Sequence, residues 1–202
     1  MEFANTLRRF VLEATWLVQE FSAACPPARS PIPDYSDQLI CEMTVIRLHD
    51  AWARFCRELV IMSACGRVNT LGGTRLSPAP GITSRRVVIP SLIATYRKRR
   101  FEPHWADATE CIDAAQRLRV TNLPTIAGAL GAIGSPADEL RKVRNHYAHR
   151  SESSAADATS TGHFVHVCHP FVFELGAYVT GGVRRIEAWS LGLQSVAKAA
   201  IQ

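Results

Sequence analysis

Lysine is nearly missing from this chain of 202 residues: three of its 23 cationic side chains are lysine and twenty are arginine. There is no C-x-x-C pair, no phosphate-binding loop after Gly72-Gly73-Thr74, and no uncharged run of about 20 residues that could span a bilayer. The six cysteines (Cys25, Cys41, Cys56, Cys65, Cys111 and Cys168) lie mostly in helix-like stretches. They read as small buried hydrophobes in a reducing compartment, not as a disulfide framework. Glu13 and Glu20 interrupt the apolar stretch behind Arg8-Arg9, which a signal-peptide core would not tolerate. A cytoplasmic protein without a membrane span is expected.

Composition supplies the rest of the frame. At 47% hydrophobic and 20% charged, the chain is neither disordered nor fibrous. Its length is that of one domain, and such a domain buries roughly 70% of its unfolded surface without help from a metal or disulfide. The net charge of +5 and the isoelectric point near 9.1 point to an anionic partner. Arginine suits bidentate phosphate contacts and base stacking, so the bias permits nucleic-acid binding; codon composition gives the same bias without it.

Apolar periodicity is clearest at the start. Phe3, Leu7, Phe10, Ala14, Leu17 and Phe21 are spaced 4-3-4-3-4, the stripe of an amphipathic helix that Cys25-Pro26-Pro27 ends. A second helix is predicted from about Asp37 to Ala64, with Cys41, Val45, Leu48, Trp52, Phe55, Leu59 and Met62 as its stripe and Gly66 as its stop. Long amphipathic neighbours joined by a short loop predict an all-α antiparallel bundle. Glycine and proline make 66–104 a long insertion, in which Arg86-Val87-Val88-Ile89 reads as a short strand. Helical pattern returns around Trp105–Arg119 and Thr125–Ile133. Ser135-Pro136-Ala137-Asp138 then starts a helix through His149, with serine as the cap and proline at the first position. Ser151–Gly162 reads as a flexible loop, and the last segment, from Pro170, as one helix weakened at Gly181-Gly182.

Two features carry candidate chemistry. Arg97, Lys98, Arg99 and Arg100 are flanked by Tyr96 and Phe101, with His104 and Trp105 beyond. Guanidinium groups beside aromatic rings fit a track for single-stranded RNA, and equally a solvated helix end. His163, His166, Cys168 and His169 are metal-ligand types but fit no zinc template, and no metal or other cofactor is expected.

The second feature is Arg144-Asn145-His146-Tyr147-Ala148-His149. With Leu140 at zero, Val143 and Tyr147 lie within about 60° of it and form a core face, while Arg144, Asn145 and His149 fall near about 40°, 140° and 180°. His146 points away from that arc. A phosphate-binding cation, a polar positioner and a titratable group on one surface suit phosphodiester cleavage, and equally an ordinary polar helix face.

Leu140 through His149 resembles the R-x4–6-H signature of the HEPN superfamily in its RNxxAH form. Four residues separate Arg144 from His149, and Asn145 holds the polar position after the arginine. Two long N-terminal helices, a variable insertion, a motif helix and a closing helix follow the same plan. His49-Asp50-Ala51-Trp52-Ala53-Arg54-Phe55 has the flavour of that family as well. The resemblance implies a metal-independent endoribonuclease that works as a homodimer, its two motif helices facing one another around one composite site. Arg144 would hold the scissile phosphate, His149 would serve as general acid or base, and Asn145 would orient His149 or the phosphate; Arg141 and the run Arg97–Arg100 would contact RNA. Toxin–antitoxin, abortive-infection and other antiviral defence systems are the expected setting, with an antitoxin or regulatory protein as a further partner. In the form paired with nucleotidyltransferase-like antitoxins a tyrosine stands two residues after the histidine, where this chain has Ser151. The alternative that the resemblance leaves open is a non-catalytic RNA-binding or dimerisation module of the same fold.

Overall fold

The computed structural model of the chain describes residues 2–26, 34–96, 101–131, 136–161 and 182–202. The protein is all-α: among the described residues there are eight helices and no strand, with a single-residue antiparallel bridge between Asn69 and Arg75. The helices are α1 (Phe3–Ala24), α2 (Tyr35–Cys65), α3 (Arg85–Thr95), α4 (Ala108–Leu118), α5 (Leu123–Leu130), α6 (Pro136–His149), α7 (Glu152–Thr159) and α8 (Arg185–Ala199). None of them is long and apolar enough to cross a membrane. The chain falls into two compact units. One comprises Met1–Val11, Trp52–Ser135 and Gln194–Gln202; the other comprises Leu12–Ala51 and Pro136–Leu193.

In the first unit the predicted stripes meet. Phe10 packs its ring against Trp52 and Phe55 at 5.8 and 5.3 Å, and Thr6 reaches Met62 at 3.3 Å. Later residues of α1 therefore meet earlier residues of α2, so the two segments run antiparallel. The stripe residues from Cys41 to Met62 are all buried, as are those of α1 except the half-buried Leu7. Gly66 stops α2 for two reasons. Its φ of +61° is left-handed, and a Cβ there would stand 2.2 Å from the Pro78 nitrogen.

Two local expectations are corrected. Arg86–Ile89 is not a strand but part of α3. Its buried residues, Val88 and Leu92, are four apart, which is helical spacing, and burial of that face outweighs the β-branched run. The insertion at 66–104 is thus partly helical. The Ser151–Gly162 stretch likewise holds α7. Ser151 accepts from the Ser154 amide at 3.2 Å while the Ser154 hydroxyl accepts from the Ser151 amide at 3.1 Å, a reciprocal cap that starts the helix. Ala155 and Ala158 bury its inner face. The two middle helices, α4 and α5, lie where helical pattern was expected.

The second unit contains α6. Leu140, Val143 and Tyr147 are buried, as the helical angles require. Its N-terminal turn is fixed to α8, where the Trp189 indole N–H donates to Glu139 at 2.8 Å. Its C-terminal end is fixed to α2, where Arg150 donates to Glu42 at 2.6 Å. Arg150 itself leaves the helix with φ +47°. The cap at Ser135, the glycine at 181, the run Arg97–Arg100 and the four ligand-type residues at 163–169 lie outside the described residues, and so do most positions before α8 that were expected to be helical.

Candidate functional site

Helix α6 sorts its side chains as its sequence dictates. The face carrying Leu140, Val143 and Tyr147 is in the core, Arg144 and Asn145 are half-buried at its edge, and His149 is exposed. Arg144 and Asn145 are joined: the guanidinium Nη1 donates to the Asn145 side-chain oxygen at 3.3 Å. His149 lies one turn beyond Asn145, at the C-terminal end of the helix. Three of the predicted site residues therefore share one helix edge. Arg141 is drawn elsewhere, bonded to Asp138 at 2.6 Å, and Lys142 pairs with the same carboxylate at 3.2 Å.

The charge of Arg144 is the unusual feature. Arg141 and Lys142 share Asp138, and Arg150 takes Glu42, so the neighbouring cations each have a carboxylate. Arg144 pairs with no carboxylate among the described residues, and its Nε is buried without a hydrogen-bond partner. A buried donor left in that state costs about 1–3 kcal/mol. An anion that accepted from this Nε would satisfy it.

Sequence reasoning did not place His49 in the site. It sits on α2, four residues after Val45 and three before Trp52, at the margin of the apolar stripe. That position was the available signal: a histidine at a stripe margin is carried towards the core. Its side chain is 13% exposed, and both ring nitrogens are buried without a hydrogen-bond partner. Asp50 lies 3.6 Å from Nδ1, beyond hydrogen-bond length. Burial, and after it the positive charge of Arg144, hold the His49 imidazole below its ordinary pKa against the opposing pull of Asp50. The imidazole and the guanidinium are thus electrostatic neighbours contributed by two helices, α2 and α6.

His146, expected to point away, is half-buried. Burial and then the charge of Arg150 lower its pKa. Its ring stands 6.0 Å from that of Tyr147. Among the described residues no group of three or more His, Cys, Asp or Glu side chains is gathered as a metal site would need.

Chemically, the edge of α6 offers a half-buried cation lacking an acidic partner among the described residues, an amide bonded to it and an exposed imidazole one turn on. That set can hold an anion and move a proton beside it. Compared with models of known protein families, with curated proteins and with solved structures, the chain matches none.

Proposed function

We propose that the protein is a metal-independent endoribonuclease of the HEPN type, working as a homodimer and serving as a toxin or antiviral defence effector. One observation carries the reading. Arg144, in the motif spacing with Asn145 and His149, is a half-buried cation without a carboxylate among the described residues, beside an exposed imidazole on the same helix edge.

In this reading Arg144 binds a non-bridging oxygen of the scissile phosphate and stabilises the charge that grows there. The neighbouring 2′-hydroxyl oxygen attacks phosphorus as its proton passes to an imidazole. The bond from phosphorus to the 5′-oxygen breaks, and that oxygen receives a proton from a second imidazole. The products are a 2′,3′-cyclic phosphate and a free 5′-hydroxyl, and no water is consumed. One α6 carries a single His149, so the two proton transfers call for both copies in a two-fold dimer. Asn145, bonded to Arg144, keeps the guanidinium oriented.

The test is incubation of purified protein with total RNA in EDTA, alongside His149→Ala. Cleavage by the wild type in EDTA, leaving cyclic-phosphate ends, is expected. The variant should fold and lose about 10²–10⁴-fold in rate. Cleavage that persists in a folded His149→Ala protein overturns the reading. RNA binding without any cleavage by the wild type transfers the assignment to a non-catalytic binding module. Light scattering should give a dimer at micromolar concentration, and a strict monomer with RNA present removes the composite site.

A further inference from the structure

Exposed apolar side chains of the second unit are gathered on one face. Nine large hydrophobic residues are exposed among the described residues, and six of them, Leu12, Trp16, Tyr35, Leu39, Ile40 and Met43, belong to α1 and the first third of α2. Singly exposed apolar residues are ordinary, whereas a cluster marks a contact surface. We propose that this α1–α2 face is a two-fold contact with a second copy of the chain, in which α1 of each copy lies along α2 of the other. The inference goes beyond the ribonuclease reading and does not depend on it. Glu42, which holds Arg150 at the end of α6, lies about 100° round α2 from Met43, so this face is separate from the α6 edge.

Two stripes make the face. Leu12, Trp16 and Glu20 follow one another at four-residue steps on α1, and Leu39, Met43 and Arg47 do the same on α2. Each stripe is two exposed apolar side chains followed by one exposed charge, and the two charges are opposite. Between the helices runs a groove of about 260 Å³, with the buried Leu17 and Thr44 in its lining. The Arg47 guanidinium stands 4.8 Å from the centre of the Trp16 ring, which sets these two residues level across the groove. Because α1 and α2 run antiparallel, one turn forward from Trp16 is one turn back from Arg47, and Glu20 is level with Met43. A two-fold axis through the middle of these four residues exchanges the diagonal positions. It sets Glu20 on the partner's Arg47 and Trp16 on the partner's Met43; one turn further out, it sets Leu12 on the partner's Leu39. Apolar thus meets apolar and acid meets base at every step, and the Trp16–Met43 pairing puts a thioether on an indole ring, a favourable contact. Within one copy Glu20 has no cation and Arg47 has no carboxylate among the described residues, and the contact supplies both. A membrane surface would call for cations around the apolar face. An acid on one helix and a base on the other instead match a partner that presents them in reverse, as a second copy does.

The experiment is sedimentation equilibrium of the full-length protein without RNA, from micromolar to millimolar concentration. It compares the wild type, Glu20→Arg, Arg47→Glu and an equimolar mixture of the two variants. The wild type should self-associate. Each variant alone sets like charges against one another at two places in the dimer, and should associate about ten-fold more weakly. In the mixture both places are again acid against base, so the two variants should pair with one another to within a few-fold of the wild-type affinity. That recovery also shows that both variants are folded, as their exposed positions require. Trp16→Ala should weaken association by about ten-fold as well, since an aromatic side chain at the centre of a contact carries much of its energy. Where the α6 contact forms too, each chain has two isologous surfaces, and the wild type should reach a tetramer that either variant reduces to a dimer. A wild type that stays monomeric throughout overturns the proposal. So do variants that associate as tightly as the wild type, which places any dimer on another face, and a mixture no tighter than its components, which removes the register.

Discussion

Replacing Arg144 by methionine should make the protein more stable and inactive at once. Methionine keeps an unbranched stem to cover the edge of the Leu140–Val143–Tyr147 face and removes the guanidinium. The removed group has a buried Nε without a partner, worth about 1–3 kcal/mol against the fold, discounted because the side chain is only half-buried. On the other side of the ledger is the bond from Nη1 to Asn145. At 3.3 Å and partly solvated, it contributes about 0.5–1 kcal/mol. The variant should gain about 1 kcal/mol net, raising the melting temperature by about 2–4 °C for a chain of this size. Burial first, and the Arg144 charge after it, hold His49 below its ordinary pKa, so removing the charge should move the His49 midpoint part of the way up. RNA cleavage should fall about 10²–10³-fold, as for loss of one group stabilising a developing oxyanion. The assay is urea and thermal unfolding at one fixed protein concentration, since the proposed dimer would make stability concentration-dependent. A methionine variant less stable than wild type by more than about 1 kcal/mol would show Arg144 to be a structural residue, and the argument from its unmatched charge would collapse.

Other expectations follow from the same geometry. Gly66→Ala should cost about 2–4 kcal/mol, because the residue has φ +61° and its new Cβ would sit 2.2 Å from the Pro78 nitrogen. Gly73→Ala, at φ +84° with open space around it, should cost about 1 kcal/mol, and equal losses in the two variants would discredit the clash. Acid should weaken the fold through His49 and His146, both held below the ordinary histidine value, by burial first and then by Arg144 and Arg150 respectively. Below about pH 6.5 the unfolded chain takes up protons that the folded chain refuses, so their contribution is complete above that pH and declines as pH falls towards the folded values. The urea midpoint should therefore drop between about pH 7.5 and 5.8, and less so in His49→Gln; a midpoint that rises over that range contradicts the sign.

The sequence by itself settled most of the helical frame, because burial at helical spacing is written locally. The stripes of α1 and α2, the stop at Gly66 and the core face of α6 all depend on residues three or four apart, and each lies where its spacing put it. The arc of Arg144, Asn145 and His149 was legible for the same reason: one helix fixes their mutual angles whatever surrounds it. Tertiary structure alone decided the rest. Arg86–Ile89 has strand-like composition, but the burial of Val88 and Leu92 together selects the helix. The Ser/Ala/Thr stretch after Ser151 becomes α7 because Ala155 and Ala158 find a surface to cover. Composition could not show that surface. Nor could the sequence show which cations are neutralised. Arg150 finds Glu42 across 108 positions, while Arg144 finds no carboxylate among the described residues and bonds to Asn145. Ion pairing and desolvation depend on which side chains are brought together from distant parts of the chain, so which cations at the end of α6 are neutralised was set by tertiary packing and not by one helix alone.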